Sequence, residues 1–224
     1  MQVGLPFEVE LVIWDWNGTL FDDAWLCVEV MNAMLAARGL GPISANRYAA
    51  VFRFPVSAYY AALGFDFAVE PFERLGTEFI ERYQARETEC RLRAQAADVL
   101  ASVARIGIEQ TVLSASQQWR LEEQVRHHGV GRHFSAVLGL DHHFATSKVA
   151  RGGEWLRDRV VDPRRVVLVG DTDHDVEVAH DLGVLCLLIP SGHQSLPRLA
   201  ACGVPVMRSL ADLTNAIAVG PAKG

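Results

Sequence analysis

Hydrophobic residues in this chain occur in short, nearly continuous runs, separated by longer segments with helical spacing. Runs of this length, rich in valine, isoleucine and leucine, are typical of strands buried on both faces of a parallel sheet. We predict strands at residues 9–14, 109–114, 134–139, 166–169 and 184–189, with a short edge strand at 204–206.

The segments between these runs place apolar residues three and four positions apart, which predicts amphipathic helices. Four of them fall between the first and second strands, at residues 24–38, 44–52, 55–64 and 71–86. Five more alternate with the later strands, at residues 96–105, 117–128, 148–159, 173–182 and 209–218. This alternation predicts an α/β fold, a Rossmann-like doubly wound parallel sheet with helices on both faces.

The interval between the first two strands is far longer than the roughly 30 residues that a plain βαβ unit requires. Because the excess has helical periodicity throughout, we expect an all-helical domain inserted into the sheet domain. The predicted boundaries are residues 1–21 and 93–224 for the core and 22–92 for the insert, with hinges near Asp22 and Cys90.

Polar residues stand at the ends of three predicted strands. Asp15 ends the first and enters a Trp-Asn-Gly-Thr turn, and Ser114 ends the second. Asp171 ends the fourth and begins an Asp-x-x-x-Asp sequence that closes at Asp175. Ligands bind at the carboxyl ends of strands in open α/β sheets. Two carboxylates that meet there repel unless a cation lies between them, and a hard ion such as Mg²⁺ with oxygen ligands fits this requirement.

Together with Lys148, these residues resemble the four ordered motifs of the haloacid dehalogenase-like (HAD) hydrolase superfamily. The resemblance is strongest to its phosphoglycolate phosphatase-like group, in which a helical type 1 cap closes over the active site. It implies a hydrolase that acts on a small phosphorylated metabolite, with Asp15 as the nucleophile that forms an aspartyl-phosphate. It also implies Mg²⁺ bound by the side chains of Asp15 and Asp171 and by the backbone carbonyl of Asn17.

The resemblance assigns roles to further polar residues. Lys148, one of only two lysines in the chain, would hold the transferring phosphate and offset the paired carboxylates. Ser114 would donate a hydrogen bond to a phosphate oxygen, with Ser116 as a nearby competitor for that role. Asp175 would bond metal-bound waters or orient Lys148, whereas Asp173 is expected only to stabilise the N-terminus of its helix.

Asn17 departs from the family pattern, because most of these phosphatases carry there an aspartate that protonates the leaving group and then activates water. Asn17 can do neither, and such general acid–base help is worth about 10²–10⁴-fold in rate. Three interpretations follow: a substrate with a good leaving group, a proton supplied by another residue such as His193, or a weakened or non-catalytic protein that binds a phosphorylated ligand. Replacing Asn17 by aspartate is expected to raise alkyl phosphate turnover with little effect on folding.

The histidines add weaker candidates. His193 directly follows the predicted strand at 184–189, so it is a candidate substrate or phosphate contact at the rim of the site, with a solvated loop as the alternative. His142 and His143 follow Asp141 at another strand end and could form a second metal site.

The composition indicates which cellular compartment and which kinds of partner to expect. The chain has 224 residues, of which 50% are hydrophobic and 21% charged, and neither a membrane-length apolar run nor a secretory signal pattern is visible. The net charge of −6 and the lack of a basic block argue against nucleic acid as a partner. Widely spaced cysteines favour free thiols in a reducing compartment. We therefore expect a cytoplasmic enzyme with no membrane partner; the substrate and the oligomeric state stay open.

Overall fold

A five-stranded parallel sheet lies at the centre of the molecule, as the alternation of strands and helices predicts. The structure is a computed structural model that describes residues 8–141, 148–190 and 192–218. Its strands are β1 (Leu11–Trp14), β2 (Phe21–Asp22), β3 (Arg91–Leu92), β4 (Glu109–Gln117), β5 (Ala136–Leu140), β6 (Val166–Gly170) and β7 (Leu185–Leu188). The order in the sheet is β5-β4-β1-β6-β7, with every pair parallel.

Helices account for most of the remaining described chain. Those of the inserted segment are α1 (Ala24–Ala36), α2 (Ala45–Val51), α3 (Val56–Ala62) and α4 (Phe72–Gln84). Those of the sheet domain are α5 (Ala96–Arg105), α6 (Gln118–His127), α7 (Lys148–Arg157), α8 (Asp173–Leu182), α9 (Leu196–Ala200) and α10 (Leu210–Ala218). Single 3-10 turns lie at Glu87–Glu89, Gly131–His133 and Pro163–Arg165.

The central strand β1 is buried on both faces. Its side chains point alternately to opposite sides of the sheet. Val12 and Trp14 therefore join one hydrophobic cluster, which continues into α5, α10 and the inserted helices. Leu11 and Ile13 join a second cluster, formed with α7, α8 and α9. Two-sided burial explains why this strand is a continuous apolar run rather than an alternating one.

The two segments that connect the sheet domain to the inserted helices pair with each other as a short antiparallel ribbon, with two residues in each strand. In it, Phe21 pairs with Leu92 and Asp22 with Arg91. Within the insert, α1 packs against α4 and α2, and Leu75 of α4 is fully buried. The division into a core and an inserted domain at residues 22–92 stays a prediction.

Several short elements differ from the sequence-based expectation. Strand β4 continues past Ser114 to Gln117 with a register irregularity, and α9 was not predicted. The expected edge strand at 204–206 is reduced to one parallel bridge between Val206 and Leu188. Elements of two to five residues are too short to show a period of their own, so hydrophobic spacing does not reveal them.

The cysteines agree with the expectation of free thiols. Cys27, Cys90 and Cys186 are buried and Cys202 is partly exposed, and none of the four forms a disulfide. In the part of the chain that the structure describes, no helix has both the length and the apolar character needed to cross a membrane.

Candidate active site

Three aspartates meet at the carboxyl edge of the sheet. Asp15 follows β1 and Asp171 follows β6, and these strands are neighbours, with the Asp15 amide donating to Val169 O at 2.9 Å. Asp175 reaches the same point from the first turn of α8. Carboxylate oxygens of the three lie within 4.8 Å of one another, and all three side chains are buried.

Lys148, the first residue of α7, lies inside this cluster. Its ammonium donates to Asp15 and to Asp175, the latter at 2.9 Å. Burial alone would lower the pKa of Lys148, but the two carboxylates outweigh it and raise that pKa. The lysine is therefore held as a cation, yet one positive charge balances only part of the charge that three ionised carboxylates would carry.

Two of the three aspartates have raised pKa values, as expected for buried carboxylates whose negative charge is only partly balanced. Burial raises the pKa of Asp15 to about 7, with Lys148 opposing the rise and the other two carboxylates adding to it. Burial also raises the pKa of Asp171 to about 6. The ionised forms thus require more positive charge than the side chains provide. A divalent cation would supply it, and a donor set made only of oxygen atoms fits a hard ion such as Mg²⁺.

Asp175 combines a structural and a site role. One of its carboxylate oxygens accepts from the backbone amide and the hydroxyl of Thr172, at 3.1 and 2.7 Å, which caps the N-terminus of α8. The other oxygen accepts from Lys148. Asp173 lies in the first turn of the helix as expected, but its carboxylate is also bonded by Gln194 and Arg198, at 2.6 Å each.

Gly18 allows the turn after Asp15 to lie directly against Asp171. Its φ of +76° is in the left-handed region, and a side chain there would collide with the Asp171 carboxylate and the His193 ring. The next residue, Thr19, is fully buried and donates its hydroxyl to Asp171 at 3.2 Å. The Asn-Gly-Thr sequence is thus explained by close packing at the site.

Asn17 uses both ends of its side-chain amide. The nitrogen donates to Asp23 Oδ2 at 2.8 Å and lies 3.3 Å from the Tyr83 hydroxyl. The oxygen accepts from Ser116 Oγ at 2.8 Å and from Ser114 Oγ at 3.4 Å. Asn17 therefore connects the end of β4 to Tyr83 of α4 in the insert.

Asp23 is a site residue that sequence reasoning missed. Its carboxylate is buried and accepts from the Gly18 amide at 3.0 Å and from the Tyr83 hydroxyl at 2.8 Å. Burial would raise its pKa, but the charge of His193 and the side-chain hydrogen bonds from His193, Asn17 and Tyr83 lower it. The sequence signal was the Asp22-Asp23 pair before α1, which is more simply interpreted as a helix N-cap; Asp23 holds the N-cap position but makes no side-chain capping bond.

His193 is buried, not part of a solvated loop. Its backbone amide donates to Asp171 Oδ2, its Nε2 lies 3.5 Å from Asp23, and its Nδ1 lies 2.8 Å from the Tyr48 hydroxyl. Burial would lower its pKa, but the Asp23 carboxylate outweighs this and raises it to about 9. His142 and His143, the candidates for a second metal site, lie outside the described residues.

A cavity of about 580 Å³ opens onto these groups. Asp15, Lys148 and Asp171 line it from the sheet domain. From the insert it is lined largely by aromatic side chains, among them Tyr48, Phe52, Phe54, Phe72, Phe79 and Tyr83. The carboxylate cluster and the inserted helices therefore enclose one binding space.

The order of these site residues along the chain matches a known family. Residues 12–189 fit the family model described as haloacid dehalogenase-like hydrolase. The chain belongs to this family. The HAD resemblance inferred from four short motifs is thereby confirmed.

Individual HAD relatives are distant but cover most of the chain. A phosphoglycolate phosphatase of Synechococcus elongatus is 24% identical over 218 residues, which is 93% of this chain and 97% of that protein. An N-acetylmuramic acid 6-phosphate phosphatase of Pseudomonas putida is 29% identical over 193 residues, 83% and 85% of the two chains. A haloacid dehalogenase-like protein of Agrobacterium tumefaciens shares the fold, with a TM-score of 0.76 at 20% identity and coverage of 94% and 98%.

Proposed function

We propose that this HAD hydrolase is a Mg²⁺-dependent phosphatase that hydrolyses a small phosphorylated metabolite through an aspartyl-phosphate on Asp15. The observation that carries the proposal is the buried cluster in which Lys148 bonds Asp15 and Asp175 beside Asp171. The names of two relatives, both phosphatases of small phosphorylated compounds, support it.

The proposed metal ligands are the side chains of Asp15 and Asp171 and the backbone carbonyl of Asn17. When bound, the cation would neutralise charge on the phosphate and hold it for in-line attack. Thr19 and the amide of His193 fix the orientation of the Asp171 carboxylate. Asp175 holds the ammonium of Lys148 in place, so it acts as a positioning residue.

In the proposed reaction, a carboxylate oxygen of Asp15 attacks phosphorus and the bond from phosphorus to the leaving oxygen breaks. Lys148 and the hydroxyl of Ser114 stabilise the charge on the phosphoryl oxygens. The Ser114 hydroxyl is suited to this, because its contact to Asn17 is long, at 3.4 Å. Water then attacks phosphorus, which releases inorganic phosphate and restores the Asp15 carboxylate.

The leaving oxygen receives no proton from position 17, because an amide has no acidic proton and both ends of the Asn17 amide are already bonded. The proposal therefore favours substrates whose leaving group departs without protonation, such as acyl phosphates. The alternative, a protein that binds a phosphorylated ligand without turnover, lacks a reason to retain a buried nucleophile paired with a lysine.

Phosphate release from acetyl phosphate tests the proposal. We expect Mg²⁺-dependent turnover that chelation abolishes and that Asp15→Asn lowers by at least about 10³-fold, as for loss of a nucleophile. The matched control is Asp158→Asn, which changes an exposed aspartate and should behave as wild type. Turnover in Asp15→Asn equal to wild type would contradict the assignment, and Mg²⁺-dependent binding without turnover would favour the alternative.

A further inference from the structure

The part of the cavity formed by the insert is built from rings. Phe52 contacts several other rings. Its ring centroid lies 5.2 Å from that of Tyr48, 5.3 Å from that of Tyr59 and 5.3 Å from that of His193. Phe79 stacks on Tyr83, with an interplanar angle of 16°. Aromatic walls of this kind favour planar rings, through stacked and edge-to-face contacts. A volume of about 580 Å³ is large enough for a ring compound in addition to a phosphate.

The charges of the lining argue against a second anionic group on the substrate. Among the described residues that line the cavity, four side chains are basic, and each already contacts an acidic side chain. The pairs are Lys148 with Asp15 and Asp175, Arg120 with Glu87 at 2.9 Å, His174 with Glu177 at 3.0 Å and His193 with Asp23 at 3.5 Å. Burying a carboxylate without a free cationic partner is costly. The lining formed by the described residues therefore fits a substrate whose organic part is uncharged.

A third observation concerns the leaving group. An alkoxide departs poorly unless an acid protonates it, and the position that supplies this acid in most family members is occupied here by Asn17. A phenolate is a weaker base than an alkoxide and departs without that help. The aromatic walls, the paired charges of the lining and the missing acid therefore all favour an uncharged aromatic leaving group that departs without protonation.

We propose that the substrate is an aryl phosphate, the phosphate monoester of a hydroxyl on an uncharged, planar aromatic ring. This inference rests on the phosphatase function proposed above. Asp15 forms a bond to phosphorus, the phosphorus–aryl oxygen bond breaks, and its electron pair leaves on the phenolate, which takes a proton from water. Water then attacks the phosphorus of the aspartyl-phosphate, and the products are inorganic phosphate and the restored carboxylate.

Three probes in the presence of Mg²⁺ test this substrate class. They are 2-naphthyl phosphate, which has a planar ring, cyclohexyl phosphate, which has a saturated ring and a basic leaving group, and 2-phosphoglycolate, which carries a carboxylate. We expect kcat/KM for naphthyl phosphate to exceed that of either other ester by at least about 100-fold. Comparable values for all three would overturn the inference.

Acetyl phosphate separates this inference from the function on which it rests. It has a good leaving group but no ring, so a phosphatase without aromatic selectivity would still hydrolyse it. Turnover of acetyl phosphate with no preference for naphthyl phosphate defeats the aryl phosphate inference alone. Failure of both substrates defeats the phosphatase proposal and this inference with it.

A variant of the wall shows whether the ring contacts carry the selectivity. Phe79→Leu removes a ring of α4 that lines the cavity, and we expect it to raise KM for naphthyl phosphate at least about fivefold through loss of a stacking contact of roughly 1 kcal/mol. KM for acetyl phosphate, which has no ring to lose a stacking contact, should change less than KM for naphthyl phosphate. The control is Val69→Ala, an exposed position of the insert outside the cavity lining. An unchanged KM for naphthyl phosphate in Phe79→Leu would count against the proposed ring site.

Discussion

At the scale of single residues, Asn17 and Asp23 form a matched pair. The Asn17 amide donates to the Asp23 carboxylate at 2.8 Å, and Asp23 is buried. An aspartate at position 17 would set two carboxylates against each other in a site that already contains Asp15 and Asp171, and like charges at this distance disfavour ionisation. The expectation from the sequence, that aspartate would be tolerated as a near-isostere, overlooked this partner.

We predict that Asn17→Asp lowers the free energy of unfolding by about 1–3 kcal/mol, because the buried Asp23 carboxylate loses a donor and gains a like charge beside it. The double variant Asn17→Asp with Asp23→Asn restores one donor and one acceptor to the pair and should recover part of the lost stability. Urea unfolding of both variants measures this.

Deamidation must be controlled in that experiment, because Asn17 precedes Gly18 and a deamidated fraction already carries aspartate. Mass spectrometry of the peptide gives that fraction. If Asn17→Asp is as stable as wild type, the pairing argument fails and the expectation that folding tolerates aspartate there holds.

Lys148 is the second residue whose replacement should change stability, because its ammonium and both of its carboxylate partners are buried. Replacing it by methionine leaves Asp15 and Asp175 buried without their shared cation. Removing one partner of a buried ion pair costs about 3–5 kcal/mol, so Lys148→Met should be destabilised by an amount of that order. Mg²⁺ should restore part of the loss, because it returns positive charge to the cluster.

Thermal unfolding of Lys148→Met with and without Mg²⁺ checks this prediction. Arg157→Met is the matched control, because Arg157 is exposed at the other end of the same helix, α7. Equal stability of the two variants would mean that the cluster does not depend on the lysine.

At the scale of elements, hydrophobic spacing predicted those strands and helices that are long enough to show a period. The strands β1 and β6 and helices such as α1 and α8 were found because buried runs and helical spacing extend over several residues. The ribbon β2–β3 and the five-residue α9 were missed because a period cannot be read from so few positions. Candidate site residues at strand ends could be proposed for a similar reason, since a polar residue directly after an apolar run is a local signal.

Asp23 could not be found in this way, because its environment is entirely tertiary. Tyr83 is 60 positions away in the chain and becomes its neighbour only when α4 packs beside the start of α1. Locally, Asp23 looks like a helix cap. The pairing of Asn17 with Asp23 was therefore beyond a single sequence, although the absence of an aspartate at position 17 was visible.

The ribbon β2–β3 leads to a prediction about cap movement. If the insert closes over the site as a unit, its two connections to the core bend at this ribbon, where Arg93 N donates to Leu20 O at 2.8 Å. We expect amide exchange at residues 20–22 and 90–93 to slow when Mg²⁺ and a phosphate analogue such as orthovanadate are added. Exchange in α10, which lies away from the cavity lining, provides the internal reference. Unchanged exchange at the ribbon under saturating analogue would argue against hinged closure.

At the scale of the whole molecule, the strand order brings the site together. Because β1 lies between β4 and β6, the side chains that follow these three strands meet at one edge of the sheet, and α7 and α8 add Lys148 and Asp175. The inserted helices then cover this edge and leave a cavity lined by aromatic rings. In the function proposed above, the α/β core carries the chemistry and the insert surrounds the organic part of the substrate.

The most direct test of this account is to trap the covalent intermediate. The protein is mixed with acetyl phosphate and Mg²⁺, quenched in acid during turnover, digested and examined by mass spectrometry. We predict a phosphoryl group on the peptide that contains Asp15, absent when Mg²⁺ is chelated and absent in Asp15→Asn. Turnover that leaves Asp15 unmodified while another residue carries the phosphoryl group would contradict the account.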